Sequence, residues 1–160
     1  MSLTIKTTIN GTLALVPSNN PVTITGSGGV TATGTMADAI DGLDSGTAWA
    51  ISNAGTLSSS SGSGVTLAGL NSGVSNSGSI SGAGGVNLSN DGSVRNTAQG
   101  TITATGGSGS QLATVSGIYV TGPSSGGITA ISVTNAGVVN AAYGYGIGLG
   151  ASGKIGRAHV

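Results

Sequence analysis

Apolar residues alternate with polar ones in short blocks that recur along the chain. The first block reads apolar, any residue, Asn, any residue, Gly, any residue, apolar, as in "ISNAGTL". It returns twice with the same spacing and once, in "VRNTAQGTI", with two residues inserted before the glycine. The opening apolar residues of the four copies are Ile51, Val74, Val94 and Val133, the asparagines are Asn53, Asn76, Asn96 and Asn135, and the glycines of the regular copies are Gly55, Gly78 and Gly137.

A second block follows each copy of the first and reads Gly, apolar, any residue, apolar. Its first apolar residue is Val65, Val86, Ile118 or Ile147. An apolar spacing of two is the period of a β-strand, and the frequent Gly, Ser, Thr and Asn disfavour helix. The two blocks together span roughly 20 residues, which predicts one coil of a β-solenoid per unit.

Counting the units gives the predicted architecture. Degenerate earlier copies around Val22 and Ile40 bring the total to about five, with residues 1–16 forming a strand that begins the first coil. The interval from Asn96 to Asn135 holds a single second block, so we interpret it as one unit with a surface loop at 106–116. The sequence therefore predicts an all-β parallel β-helix over residues 1–153.

The repeated residues have physical roles in such a coil. The apolar residues should point inward and stack on their copies in neighbouring coils. The glycines are predicted at corners with positive φ, which glycine tolerates best. The asparagines should hydrogen-bond the corner backbone and also the asparagine of the next coil, forming a ladder.

Composition agrees with a thin core and removes several partner classes. The chain has 32 Gly, no Phe and only 4 Asp plus Glu against 4 Lys plus Arg. A net charge of zero gives no basis for binding nucleic acid or anionic lipid, because both need clustered cations. The absence of cysteine excludes disulfides and thiolate metal sites.

The two termini lead to separate expectations. The first residues lack the continuous apolar region of a standard signal peptide. The last residues, "IGRAHV", resemble the translation of a sequencing adapter, so residues 154–160, with Arg157 and the single histidine, His159, are expected to be non-native. Leu149 runs almost directly into that tail, so the natural chain is expected to continue.

The units "ISNAGTLSSSSGSGVTLAG" and "VSNSGSISGAGGVNL" resemble the passenger repeats of bacterial autotransporters, the type V secretion proteins. The resemblance covers about residues 21–150 and implies a right-handed parallel β-helix at the bacterial cell surface, outer membrane or outside the cell. It implies a stalk-like or adhesin-like passenger and a C-terminal β-barrel translocator in the same polypeptide, which this sequence lacks. It names no host or cell-surface ligand.

A few motifs could carry chemistry. "GLGASGKI" approaches a phosphate-binding loop, but no helix can follow it, and glycine-rich chains match by chance. The carboxylates of Asp38, Asp41 and Asp44 fit either a weak calcium site or a solvated turn. Tyr143 and Tyr145 fit either sugar stacking or the outer cover of the last coil.

Two alternative functions remain open. A carbohydrate-active β-helix enzyme needs paired carboxylates, and the chain offers no Glu and one acid, Asp91, near Arg95. An ice-binding solenoid needs Thr-x-Thr at the same place in every coil; it occurs in "VTITG", "VTATG" and "TITATGG", but the central coils carry Ser and Asn. Trp49 is expected to pack or cover an edge. We predict no catalytic, cofactor, metal or small-molecule site.

Overall fold

The computed structural model describes residues 1–106, 115–122 and 131–150. The centre of the predicted loop, the end of "GLGASGKI" and the tail 154–160 lie outside the described residues.

The described residues form three parallel six-stranded sheets. Sheet A contains β1 (Leu3–Ile5), β4 (Val22–Ile24), β7 (Ala50–Asn53), β10 (Ser72–Asn76), β13 (Gly92–Asn96) and β16 (Ser132–Asn135). Sheet B contains β2 (Thr8–Asn10), β5 (Gly29–Ala32), β8 (Thr56–Ser59), β11 (Ser79–Gly82), β14 (Thr101–Ala104) and β17 (Val138–Ala141). Sheet C contains β3 (Leu13–Ala14), β6 (Ile40–Gly42), β9 (Ser63–Leu67), β12 (Gly84–Leu88), β15 (Ile118–Val120) and β18 (Ile147–Leu149). A single turn of 3-10 helix, Pro17–Asn19, follows β3.

Each coil contributes one strand to each sheet in the order A, B, C, so the molecule is a parallel β-solenoid of six coils in its described part. We number the coils 1 to 6 in chain order. The repeat predicts about five, because Asn10 and Gly11 are adjacent and residues 1–16 therefore lack the Asn-x-Gly spacing of the repeat. They nevertheless form all of coil 1, since Leu3 and Leu13 keep the strand period and pair with Val22 and Ile40 in coil 2.

The core is a set of apolar columns that run along the solenoid. In sheet A, Ile51, Val74, Val94 and Val133 stand in register, and all are buried. In sheet C, Val65, Val86 and Ile118 are buried in register, and Ile147 continues the column while partly exposed. Burying a Val, Leu or Ile side chain contributes about 1.5 to 3 kcal/mol. Repetition of the same small residues thus builds the core without Phe.

The long interval between Asn96 and Asn135 contains one coil. β14 pairs with β11 and β17, and β15 pairs with β12 and β18, so coil 5 keeps the register of its neighbours. The extra residues lie between β14 and β15 and between β15 and β16.

Candidate functional site

The four repeat asparagines form a continuous hydrogen-bonded ladder at the corner between sheets A and B. The Nδ2 of Asn53 donates to Oδ1 of Asn76 at 2.8 Å, and that of Asn76 donates to Oδ1 of Asn96 at 2.8 Å. The Nδ2 of Asn96 donates to Oδ1 of Asn135 at 2.9 Å. All the donors therefore point toward the C-terminal coil. The first three asparagines are at most 1% exposed, so the ladder is part of the interior.

Each rung is also held by the backbone. The Nδ2 of Asn76 lies 3.1 Å from the Gly78 carbonyl oxygen in its own corner and 3.3 Å from the Thr101 carbonyl oxygen in the next coil. Asn53 and Asn96 repeat the arrangement with their own corner glycines and with the next strand of sheet B. A buried amide is costly without partners. These side chains have them and carry a structural role.

The corner glycines do not have the conformation that the sequence predicts. Positive φ is found at Gly11, Gly92 and Gly144 among the described glycines, so the prediction for Gly55, Gly78 and Gly137 is wrong. Lack of room for a side chain explains the glycines at these corners, because a Cβ would overlap the carbonyl oxygen of the corner glycine one coil earlier. For these three glycines the overlapped oxygens belong in turn to Gly28, Gly55 and Gly100.

Gly100 fills the corner of the irregular copy. The strand after it pairs Thr101 with Ser79 and Val138, which is the register of the regular copies. The two inserted residues therefore extend the corner of coil 5 and leave the glycine in the same column. The Nδ2 of Asn96 still reaches the Gly100 carbonyl oxygen at 3.1 Å.

The three neighbouring carboxylates do not converge on one ligand. Asp38 accepts a hydrogen bond from the Ser63 amide at 2.6 Å. Asp44 closes a turn, and the Thr47 hydroxyl and the Gly46 amide lower its pKa. Burial, and then the charge of Asp38, raises the pKa of Asp41. No group of three potential metal ligands occurs among the described residues.

Asp91 and Arg95 offer no paired catalytic arrangement. Asp91 is 1% exposed, its Oδ2 has no hydrogen-bond partner, and burial raises its pKa. Its backbone takes a positive φ of 60° and donates to the Thr121 carbonyl oxygen at 2.7 Å. Arg95 is exposed on the outer face of sheet A. The carboxylate is therefore buried in the turn before β13, whereas the arginine is exposed on that strand.

The aromatic residues divide into one core residue and an exposed group. Trp49 is 1% exposed, and its Nε1 donates to the Asp44 carbonyl oxygen at 3.2 Å. Tyr143 and Tyr145 are 49% and 54% exposed in coil 6. Ring atoms of Tyr119 and of Tyr145 lie within 4 Å of the position that a Cβ on Gly148 would take. The tryptophan therefore packs in the core, whereas Tyr143 and Tyr145 are exposed.

The outer face of sheet B carries ordered hydroxyl groups that sequence reasoning missed. Thr56, Ser79 and Thr101 form one column, and Ser58, Ser81 and Thr103 form a second. In the sequence, these columns correspond to the Thr or Ser residues on both sides of the apolar residue that closes the first block. The first column ends at coil 2 with Gly29 and at coil 6 with Val138, because neither residue carries a hydroxyl group.

The outer surface of the described residues includes two depressions. One, of about 290 Å³, lies on sheet A where Gly73 leaves space between Ala50, Ser93 and Arg95. The other, of about 500 Å³, lies beside Asp38. Neither depression brings together a nucleophile, a base and an acid.

Comparison with known proteins adds no relative. No protein family, no curated protein and no solved structure matches the chain. Among the residues that the structure describes, no helix has the length and hydropathy to cross a membrane. The fold and the ladder define the class as a β-solenoid repeat protein. The likeness to autotransporter passengers rests on the repeat sequence alone.

Proposed function

We propose that the chain is a structural segment of a bacterial autotransporter passenger, displayed at the cell surface as a stalk or adhesin-like element without catalysis. The observation that carries the proposal is the ladder, because it commits the recurring polar side chain of the repeat to the interior. A repeat whose polar signature is internal is suited to building length and stiffness. Reactive groups are scarce on the outer faces.

Stepwise folding supports the same role. The sheets join neighbouring coils, and Asn53, Asn76 and Asn96 each donate to the coil that follows. Solenoids of this kind fold by propagation from coil to coil. Such a chain can cross a membrane unfolded and fold as it emerges, and it has no cysteine to form premature disulfides.

Display at the surface is tested by fusion. The full chain is placed between a cleavable export signal and an autotransporter β-barrel, and exposure on intact bacteria is measured with an antibody and with added protease. We expect a folded, protease-resistant segment at the surface. A matched Gly78→Val fusion should be displayed but degraded, because a side chain at that corner overlaps the Gly55 carbonyl oxygen. A wild-type segment that stays in the periplasm or is digested as fast as the variant contradicts the proposal.

Ice binding is the second candidate, and the hydroxyl columns of sheet B favour it. In-register columns repeat at the inter-strand spacing of about 4.8 Å, which gives a regular surface. Only coil 5 has threonine at both places, and serine replaces it in coils 3 and 4. Thermal hysteresis of the purified chain separates the two functions: the surface-display role predicts none, whereas a measurable freezing-point gap favours ice binding.

Fewer structural observations favour a carbohydrate-active enzyme on the same β-solenoid. No salt bridge or hydrogen bond joins Asp91 to Arg95; Asp38 and Asp44 accept hydrogen bonds from backbone amides, and Asp91 is buried. Release of reducing sugar from a panel of bacterial and host polysaccharides tests this function. Turnover that survives in the Asp91→Asn variant would point to other residues, and turnover lost in it would make Asp91 the acid.

A further inference from the structure

The strand β10 carries a glycine on the outer face of sheet A that the fold itself does not require. Gly73 stands in register with Ala50 in coil 3 and with Ser93 in coil 5, so the strand has no bulge there. Its φ is not positive, and a Cβ added to it would meet a single described atom within 4 Å, the Ser93 hydroxyl oxygen at 3.4 Å. A side chain would therefore fit at this position.

A glycine inside a strand needs an explanation, because it weakens the strand and packs no side chain against its neighbours. The corner glycines Gly55 and Gly78 have one, since backbone atoms occupy the space that a Cβ would take. At Gly73 that space belongs to the depression of about 290 Å³ on sheet A. A strand glycine without a bulge or a close backbone contact is typical of a place that a ligand approaches.

One side of this depression is a row of hydroxyl groups that ends in a cation. Thr23, Ser52 and Ser75 stand in register in coils 2, 3 and 4, and Arg95 takes the next place in coil 5. All four residues are exposed and line the depression. Their side chains make no hydrogen bond or ion pair with another residue in the described part of the chain. The row is therefore free to bind a ligand.

The chemistry of the row selects the kind of ligand. β7, β10 and β13 each pair with a strand on both sides, so the backbone beneath the depression cannot accept a peptide as an added strand. Recognition then depends on hydroxyls, which both donate and accept hydrogen bonds, and on one guanidinium, which pairs bidentately with an anion. Sugar hydroxyls beside an acidic substituent match this arrangement.

We propose that Thr23, Ser52, Gly73, Ser75 and Arg95 form a binding site for an anionic glycan, which we call the Gly73 groove. The carboxylate or sulfate of one sugar pairs with Arg95, neighbouring sugar hydroxyls bond to Ser75 and Ser52, and the missing side chain at Gly73 lets a sugar ring approach the sheet.

The groove lies inside the array of coils. β4, β7, β10 and β13 each lie between two other strands of sheet A, so a coil added at either end of the solenoid would stack beyond them and leave the groove open. The inference names a ligand class for the adhesin-like role and rests on that proposed function. Because binding is measured on the purified chain, binding and surface display can fail separately.

Polymers of defined chemistry test the groove. Polygalacturonate supplies carboxylates, dextran sulfate supplies sulfates, dextran is neutral, and polyglutamate is acidic without sugar. We expect the full chain to bind one or both acidic glycans in affinity electrophoresis at low ionic strength, more weakly as salt is added. Dextran and polyglutamate should bind weaker by about threefold or more, since the first lacks the anion and the second lacks the hydroxyls. The acidic glycan that binds identifies the group that Arg95 holds.

Two substitutions separate the charge from the space. Arg95→Gln keeps hydrogen-bond donors but removes the charge, so it should weaken binding by about three- to tenfold and remove its dependence on salt. Gly73→Val should abolish binding by filling the groove. Its Cβ has room and valine favours strands, so its denaturation midpoint should equal or exceed that of the wild-type chain. Ser132→Val is the matched control, because Ser132 lies in the same outer row of sheet A as Gly73 but outside the groove.

Both variants have to weaken binding for the groove to be correct. Binding that survives either Arg95→Gln or Gly73→Val overturns the proposal, and so does an equal loss in Ser132→Val. Equal binding of dextran or of polyglutamate overturns it too, as does a wild-type chain that binds neither acidic glycan. None of these results affects surface display, which the fusion experiment measures without a ligand. Glycan binding by a chain that fails the fusion experiment would overturn the proposed function alone.

Discussion

At the scale of single residues, one amide performs two tasks that usually fall to different side chains. Asn76 closes its corner through the Gly78 carbonyl oxygen and connects coils through Asn53 and Asn96. Because every polar atom of the inner rungs has a partner, burial of the amide is not penalised. The repeat therefore tolerates a buried polar column beside its apolar ones.

Replacing the middle rung should destabilise the molecule. Asn76→Leu removes the donor to Asn96 and to two carbonyl oxygens, and leaves buried groups of the neighbouring coils without partners. We expect the free energy of unfolding to fall by about 2 to 4 kcal/mol, since each unsatisfied buried group costs about 1 to 3 kcal/mol. Urea denaturation followed by circular dichroism measures the change. Asn140→Leu is the control, because Asn140 is exposed on sheet B, and a loss of similar size there would disprove a special role for the ladder.

Two glycine-to-alanine substitutions compare a corner where an added methyl group is crowded with one where it has room. Gly78→Ala places a methyl group on the Gly55 carbonyl oxygen, so the free energy of unfolding should fall by more than about 1 kcal/mol. Gly146→Ala meets no described atom within 4 Å and should be neutral or slightly stabilising. Thermal and urea denaturation of the two variants compare the sites. Equal losses would show that backbone freedom, rather than close approach, selects glycine at these corners.

At the scale of the elements, the strands resemble one another and the turns carry the differences. The coil 5 corner holds two extra residues, yet Thr101 keeps its register with Ser79. The turn before Trp49 is closed by Asp44, while the turn before β13 contains the buried Asp91. Acidic residues in these turns should therefore give the solenoid its dependence on pH.

Asp91 should make the molecule less stable as the pH rises. Burial raises its folded pKa above the unfolded value of about 3.9, so the folded state keeps a proton that the unfolded chain has lost. The contribution of Asp91 to stability is complete below the unfolded pKa and is lost as the pH rises through the folded pKa. Asp91→Asn should thus raise the free energy of unfolding at pH 7 and change it little at pH 3. Urea titrations at several pH values measure this, and a variant less stable than wild type at pH 7 contradicts it.

Asp44 should show the opposite sign. The Thr47 hydroxyl and the Gly46 amide lower its folded pKa, so its contribution is present above the unfolded pKa and is lost as the pH falls through the folded pKa. Asp44→Asn should lower stability at pH 7 and have a smaller effect at pH 3. Because Asp44 is exposed, we expect this change to be small. The same series of urea titrations compares it with Asp91→Asn, and a shift of the same sign in both variants would refute the assignment.

The elements also show how far the sequence predicts the structure. Alternation and the Asn-Gly spacing predict the strands, the parallel stack and the columns of Ile51 and Val65, because each depends on local periodicity. Coil 1 is predicted only as a strand, since it carries the alternation without the Asn-x-Gly spacing. Positive φ, the predicted reason for the corner glycines, was wrong. The close contact with the previous coil that requires glycine there depends on the tertiary structure. The hydroxyl columns of sheet B were missed for the same reason, as they exist only once coils are in register.

At the scale of the whole molecule, the solenoid is a one-dimensional array. Sheet pairing joins each coil to its immediate neighbours, so stability should be close to a sum of coil and interface terms. The ladder does not run through every described coil: Ile5 and Ile24 stand in register with Asn53 in coils 1 and 2, whereas Asn135 continues the ladder in coil 6. The solenoid should therefore tolerate the insertion of a whole inner coil, as long as the strands of the later coils stay in register.

Duplication of an inner coil tests this additivity. A second copy of residues 72–91 inserted before Gly92 repeats the register in which Ser72 pairs with Gly92, and it extends both the ladder and the apolar columns by one rung. The longer chain should keep its β-sheet spectrum, unfold at a higher denaturant concentration and gain about 4.8 Å in length by small-angle X-ray scattering.

A half-coil insertion is the matched comparison for that duplication. A copy of residues 72–81 ends within sheet B, so the strand that follows it would meet the wrong sheet and Asn96 would leave the ladder. We expect this variant to lose cooperative unfolding, because the apolar columns on both sides of the insertion are displaced from register. If the full and half insertions were equally stable, register between neighbouring coils would not matter for stability. The description of the molecule as an array of in-register coils would then be wrong.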